Sequence, residues 1–273
     1  MSAEEADIIA RQEAQAIAAA EKAQPQSDLI RRTLTLQHVA VAGLLIVLLL
    51  GATFRFTGIN WDENHHLHPD ERFLTDVANR LQPVTDPLSY LRTSESTLNP
   101  YNLGNVPLYV YGNFPMTVLV YVADWVNQFC QTTGLSCAYD YAGYDGIHIL
   151  GRVLSGLTDL LSIVFIFLIG RRLYDWRAGL LGALLLSLAV MPIQQSHFFT
   201  MDNWAAALST VALYMAVRAS ESAPKRRWWI LFGLFLGLAV ASRINVAPLA
   251  AIAPVAGAVW LARREREAAP GAG

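Results

Sequence analysis

Charge is scarce in this sequence: only 15% of its residues are Asp, Glu, Lys or Arg, against about 25% in an ordinary soluble domain. The 54% that are hydrophobic fall in long runs rather than at the spacing of a soluble core. Cysteine is equally sparse. Cys130 and Cys137 are too few for a disulfide framework, and a small external disulfide loop and two free thiols both fit the pair. No Gly-rich phosphate loop, nucleophile elbow or metal-spaced cysteine pair is present, which removes support for nucleotide-driven chemistry. The formal net charge of −2 gives no reason to expect a nucleic-acid partner. Internal repeats and a second soluble domain are also missing. The first thirty residues carry Glu4, Glu5, Asp7, Glu13 and Glu21, unlike the apolar segment of a secretory leader.

What is present is a series of apolar stretches bordered by basic residues. Thr33 to Phe54 contains no charged residue, and a bilayer core takes about 20 apolar residues as a helix. Further stretches are read at about 146–170, 178–199, 203–218, 228–243 and 245–262, the first at about 34–57. Arg31 and Arg32, Arg171 and Arg172, Arg177, Arg218, Lys225 to Arg227, and Arg263 to Arg266 then all fall on one side. By the positive-inside rule that side is the cytoplasm. The fold class expected is an all-α polytopic membrane protein of about six transmembrane helices. A cytosolic polar tail over 1–32 precedes the membrane domain of 33–262, and a second tail over 263–273 ends without a folded element. The pair of spans around Arg243 is the weakest, because Trp228–Ser242 is short for a full crossing.

Residues 58–145 are mixed in character and read as a large external loop. Two pieces resemble amphipathic helices lying on the membrane surface. One follows Pro69 and sets Phe73, Leu74, Val77 and Leu81 on one face. The other runs from about Pro107 to Phe129 with Tyr109, Tyr111, Phe114, Tyr121 and Trp125.

The sharpest local feature is the run Trp61-Asp62-Glu63-Asn64-His65-His66-Leu67-His68-Pro69-Asp70-Glu71-Arg72-Phe73. Proline suits a first helical position, which puts Asp70 and Glu71 in the first turn, where the helix dipole favours ionised carboxylates. Ordinary capping explains such acids equally well. Asp202, in His197 to Trp204, falls on the same membrane side as Asp70 and either caps a helix or joins a site. Arg152 and Arg243 belong near the outer surface, where either could hold a phosphate or anchor a helix end. Asp159 lies about 10 Å deeper than Arg152 and reads as a structural pairing group. His65, His66 and His68 match no standard zinc spacing.

These motifs, in order, resemble the C-type integral-membrane glycosyltransferases, most nearly the protein O-mannosyltransferase and aminoarabinose-transferase group. The carriers are His68-Pro69-Asp70-Glu71-Arg72-Phe73, Asn105 to Tyr111, Gly151-Arg152-Val153-Leu154-Ser155, Ser196-His197 through Asp202, and Gly233 to Asn245 with Arg243. Val106 stands where the family's Pro-Pro-Leu has its first proline. The resemblance runs over about 34–262. Since family members usually have more than six spans, it implies an N-terminal portion.

The resemblance implies a polyprenyl-phosphate-linked sugar as donor, with its tail in the membrane lipid and its phosphate-sugar at the outer face. A mannose-like glycosyl group would pass to a hydroxyl of a protein, lipid or glycan acceptor, with inversion. Asp70 would be the base, with Glu71 beside it and Asp202 orienting a substrate or helping to hold a divalent metal ion. His68, Arg72, Arg152, His197 and Arg243 are the candidates for contact with substrate or phosphate. The implied location is the cell membrane, multi-pass, N-terminus cytoplasmic and acidic loop external, with room for a partner subunit supplying further spans. The alternative from the same motifs is a non-catalytic lipid-carrier-binding module or remnant. A small transporter built on Arg152 and Asp159 is the weaker third reading.

Overall fold

The computed structural model describes residues 36–268 except 105, 107, 222 and 224. The expected tail over 1–32 and residues 269–273 lie outside these. Among the described residues every regular element is a helix. The chain divides into a unit over Met1–Ile46 and a unit over Val47–Gly273. In the first unit the described residues, 36–46, are helical; they open α1, Leu36–Phe56, whose remainder belongs to the second.

The second unit continues with α2 (Pro69–Ala78), α3 (Pro87–Leu91), a 3-10 turn (Pro100–Leu103), α4 (Phe114–Thr133), α5 (Tyr144–Leu173), α6 (Trp176–Ser187) and α7 (Val190–Ser196). After these come α8 (Met201–Ala219), α9 (Arg227–Ser242), a second 3-10 segment (Ile244–Ala251) and α10 (Ile252–Ala268).

Three helices are long and apolar enough to cross a membrane: Leu36–Phe56, Tyr144–Leu173 and Ile244–Ala268. A fourth crossing arises if α6 and α7, bent by 58°, count as one. This corrects the expectation of six. α8 has 19 residues, but Asp202, Asn203, Ser209, Thr210, Tyr214 and Arg218 dilute its apolar character, and much of it is buried in protein. α9 is apolar but has only 16 residues, about 24 Å at 1.5 Å per residue, short of a core about 30 Å thick. Helix also continues through Arg263 to Ala268, where an unfolded tail was expected.

The break between α6 and α7 has a local cause. Pro192 cannot donate to the Leu188 carbonyl, and its ring crowds it. The freed carbonyls at the end of α6 are met by Arg55, fully buried at the end of α1: it donates to the Ser187 carbonyl at 3.0 Å and the Leu186 carbonyl at 3.3 Å. Its Nε donates to Asp159 at 2.5 Å, the pairing role expected for that aspartate. α6 lies close along α5, where a side chain on Gly170 would run into the Gly179 backbone.

The apolar face of α2 does not lie open. Leu74, Val77 and Leu81 join Met116, Leu119 and Val120 of α4 and Ile147, Leu150, Phe199 and Met201 in one buried core. α4 begins at Phe114, later than expected, because Val106 and 108–110 run without helix and Asn113 caps the start. Its other face keeps Trp125 and Phe129 exposed and stacked, centroids 6.0 Å apart. Cys130 and Cys137 are bonded to each other just beyond.

Candidate active site

The loop from Gly58 to His68 is held from beneath by Arg152 on α5. Its Nη1 and Nη2 donate to the two Asp62 oxygens at 3.0 and 2.9 Å. Nε and Nη2 donate to Glu71 at 2.8 and 2.6 Å, and Nη1 reaches the Ile59 carbonyl at 2.9 Å. A guanidinium carries five N–H donors, and these five bonds use them all. Arg152, Asp62 and Glu71 are each 4% exposed or less. Burial alone would raise the Asp62 carboxyl, but the hydrogen bonds and charge of Arg152, with the Leu67 amide, outweigh it and hold it at about 2.

This cluster carries a backbone that would otherwise be unfavourable. Glu63, Asn64 and His66 have φ of 51°, 63° and 48°, a region that costs side-chain-bearing residues of order 1–3 kcal/mol each. Trp61 closes the loop from above: its indole N–H donates to the His197 carbonyl at 3.1 Å and its ring lies edge-on to Phe198.

α2 begins as the sequence indicates, with Pro69 at its first position and Asp70 and Glu71 in the first turn. The two acids diverge. Glu71 points inward to Arg152 and also accepts the Phe199 N–H at 2.7 Å. Asp70 is exposed. Burial raises the Tyr111 phenol above its ordinary value, and the facing Asp70 carboxylate raises it further, while Arg243 acts in the opposite sense. Tyr111 thus stands between Asp70 and Arg243, and Arg243 is ion-paired to Asp202 in the first turn of α8. Asp70, Tyr111, Arg243 and Asp202 form one rim, drawn from α2, the segment before α4, the end of α9 and the start of α8.

Gly112 makes that meeting geometrically feasible. Its N–H donates to the Ser242 carbonyl at 3.1 Å, and a side chain there would collide with the Ala241 carbonyl. The segment can lie against the end of α9 only with glycine at this point. Arg243 itself is extended, φ −154° and ψ 114°, which ends α9 and turns its side chain to Asp202.

Two cavities open on either side of Tyr111. One of about 400 Å³ is largely apolar and lies between Val110, Phe114, Leu238, Val240, Ala241 and Ile244. The other, about 370 Å³, is lined by Tyr90, Tyr101, Tyr109, Tyr111, Asn99 and Asn113 among others.

The remaining sequence candidates have other surroundings. His68 caps α2, its Nδ1 accepting the Glu71 N–H at 3.2 Å, and its ring packs on Phe198 at 4.2 Å. His197 places both ring nitrogens 2.9 Å from carbonyl oxygens, those of Ile193 and Thr57. Arg72 is exposed on α2. Arg152 has no donor left for a phosphate, so the expectation that it contacts one is corrected by its own saturation. Glu71, expected beside the base, is enclosed and committed to Arg152. His65, His66 and His68 turn to different partners, His65 to the Asp62 carbonyl and His66 to Asp145. Among the described residues no three His, Cys, Asp or Glu side chains could jointly hold a metal ion. Asp70 and Asp202 alone do not make such a site.

Three members of these clusters were not singled out from sequence. Asp62 was visible inside the motif, with nothing to separate it from an ordinary loop acid. Tyr111 was read as part of a helix. Arg55 was read only as marking the exit of the first span.

Residues 149–268 match the family model described as dolichyl-phosphate-mannose-protein mannosyltransferase. Over these residues the chain belongs to that family. The match takes in α5 to α10, hence Arg152, Asp202 and Arg243, and it stops short of the Asp70 motif on the N-terminal side. No curated protein matches, and no solved structure matches. The family and the apolar helices together make this a membrane protein of a glycosyltransferase family.

Proposed function

We propose that this chain transfers a mannose-class glycosyl group from a polyprenyl-phosphate sugar to an acceptor hydroxyl, at the rim formed by Asp70, Tyr111, Arg243 and Asp202, on the outer face of the cell membrane. The family match over 149–268 supports the donor class. The observation that carries the reading is the exposed Asp70 facing Tyr111 and, through it, the Arg243–Asp202 pair.

In the proposed reaction the acceptor oxygen attacks the anomeric carbon while Asp70 takes the hydroxyl proton. The bond from that carbon to the phosphate oxygen breaks, and its electron pair leaves with the phosphate. One displacement inverts the anomeric centre and yields polyprenyl phosphate. Arg243 would offset the charge that gathers on the leaving phosphate. It keeps 37% of its side-chain surface, in contrast to the enclosed Arg152. Asp202 would orient Arg243. The apolar cavity beside Ile244 and Leu238 suits the first isoprene units of the donor, one side chain away from Arg243. Glu71 serves as a positioning residue, holding the helix start that presents Asp70. No step needs a metal ion held by these side chains.

The test is transfer of radiolabelled sugar from polyprenyl-phosphate mannose in membranes containing the full chain, or its Asp70→Asn variant. Loss of transfer in the variant, with unchanged insertion and yield, is expected. Equal turnover in both would remove the assigned base. Absence of transfer by the unaltered chain, with donor still bound, would favour the lipid-carrier-binding module.

A further inference from the structure

A second charged site lies at the other end of the same helices. Arg172 is twenty residues beyond Arg152 on α5, roughly 30 Å at 1.5 Å per residue. On α8, Arg218 is sixteen residues beyond Asp202, roughly 24 Å. Here Leu168, Arg171, Arg172, Tyr214 and Arg218 line a cavity of about 260 Å³. Three arginines face it and no acid does.

The arginines are organised rather than merely near one another. Glu221 takes the Nε sides of both Arg172, at 2.8 Å, and Arg218, at 2.7 Å. Arg218 also donates through Nη1 to the Tyr214 hydroxyl at 3.2 Å, and its guanidinium lies 4.3 Å from the centre of the Trp228 ring. One carboxylate therefore fixes two guanidiniums, leaving the Arg172 terminal nitrogens and Arg218 Nη2 without a protein partner among the described residues. Arg171 adds a third cation with no partner among those residues. Counting Arg171, Arg172, Arg218 and Glu221, the group holds a net charge of +2. Arg227 lies over the other part of the same tryptophan at 4.7 Å, next to Lys225 and Arg226.

We infer that this cavity binds the phosphate of an anionic lipid headgroup, on the membrane face opposite Asp70. Guanidinium groups held with their outer N–H edges free match phosphate oxygens. The apolar stem of the cavity at Leu168 and the neighbouring Trp228 and Trp229 belong at the boundary between acyl chains and headgroups. Basic pockets between helices at that depth are how membrane proteins hold such headgroups. The site is independent of the transfer reaction and stands whether or not Asp70 is a base.

The experiment uses the full chain in an uncharged detergent, with lipid retention read by native mass spectrometry. The probes are phosphatidylglycerol, phosphatidylcholine and inorganic phosphate. Phosphatidylglycerol should be retained roughly tenfold better than phosphatidylcholine. The R172Q/R218Q variant should lose that preference, while R263Q/R264Q, basic residues on α10, should keep it. Should R172Q/R218Q not fold, R171Q serves, since Arg171 is exposed and makes no internal bond; it should reduce the preference severalfold. Equal retention of both lipids by the unaltered chain, or a preference untouched by these substitutions, overturns the inference. Inorganic phosphate competing at the same concentration as phosphatidylglycerol would overturn the lipid source and assign a soluble phosphate instead.

Discussion

Glu71 and Arg152 meet side-on inside the protein, Nε to Oε1 at 2.8 Å and Nη2 to Oε2 at 2.6 Å. The residue beside the proposed base is thereby fixed from below, and Asp70 is presented by a helix start that cannot swing.

Removing one partner of this pair leaves a buried charge unmatched, which costs roughly 3–5 kcal/mol. Glu71→Ala should therefore lower the unfolding midpoint in detergent far more than Asp70→Asn, an exposed change expected within about 0.5 kcal/mol of the unaltered chain. Similar losses from both substitutions would refute the division of labour between the two acids.

Asp62 gives the cluster an acid limit. Its pKa is depressed in the fold, so its contribution is fully present above the unfolded value near 3.8 and is lost as pH falls through about 2. The contribution is about 2 kcal/mol. Stability measured by thermal unfolding should be flat in this respect from pH 7 to 5 and fall from about pH 4 downward. In Asp62→Asn that fall should be shallower, from a lower starting value. A decline of the same steepness in the variant would exclude Asp62 as its source.

Arg55 and Asp159 test how a buried ion pair behaves among apolar helices. Arg55→Leu strands the Asp159 carboxylate and frees the carbonyls of Leu186 and Ser187, with an expected loss of about 3 kcal/mol or more. The double change Arg55→Leu with Asp159→Leu should recover part of it, because the charge is gone while the carbonyls still lack their donor. A strictly additive double-mutant cycle would show the pair to be uncoupled.

Gly112→Ala should separate the segment before α4 from the end of α9, since the new methyl meets the Ala241 carbonyl. A loss of about 1–3 kcal/mol is expected. Transfer should fall more than Tm, because Tyr111 and Arg243 move apart. Unchanged transfer with lowered stability would detach this contact from the active rim.

The sequence alone determined the helical class, the start of α2 and the inward pairing of Asp159. Periodicity, proline position and scarcity of charge are local properties, and helices respond to them locally. It also placed Asp70, Asp202 and Arg243 as candidates, because the acidic motif and the basic residue after α9 stand out in composition. The number of crossings was not legible in the same way. α8 and α9 are apolar enough to suggest spans, but whether an apolar face meets lipid or another helix depends on what packs against it. The fates of Arg152 and Glu71 were hidden for a related reason. A run of letters shows that an arginine is present, but only the folded chain brings Asp62, Glu71 and the Ile59 carbonyl around it. Hydrogen-bond saturation is a property of three-dimensional neighbours, and here it removes one arginine from phosphate contact and leaves Arg243 at the rim.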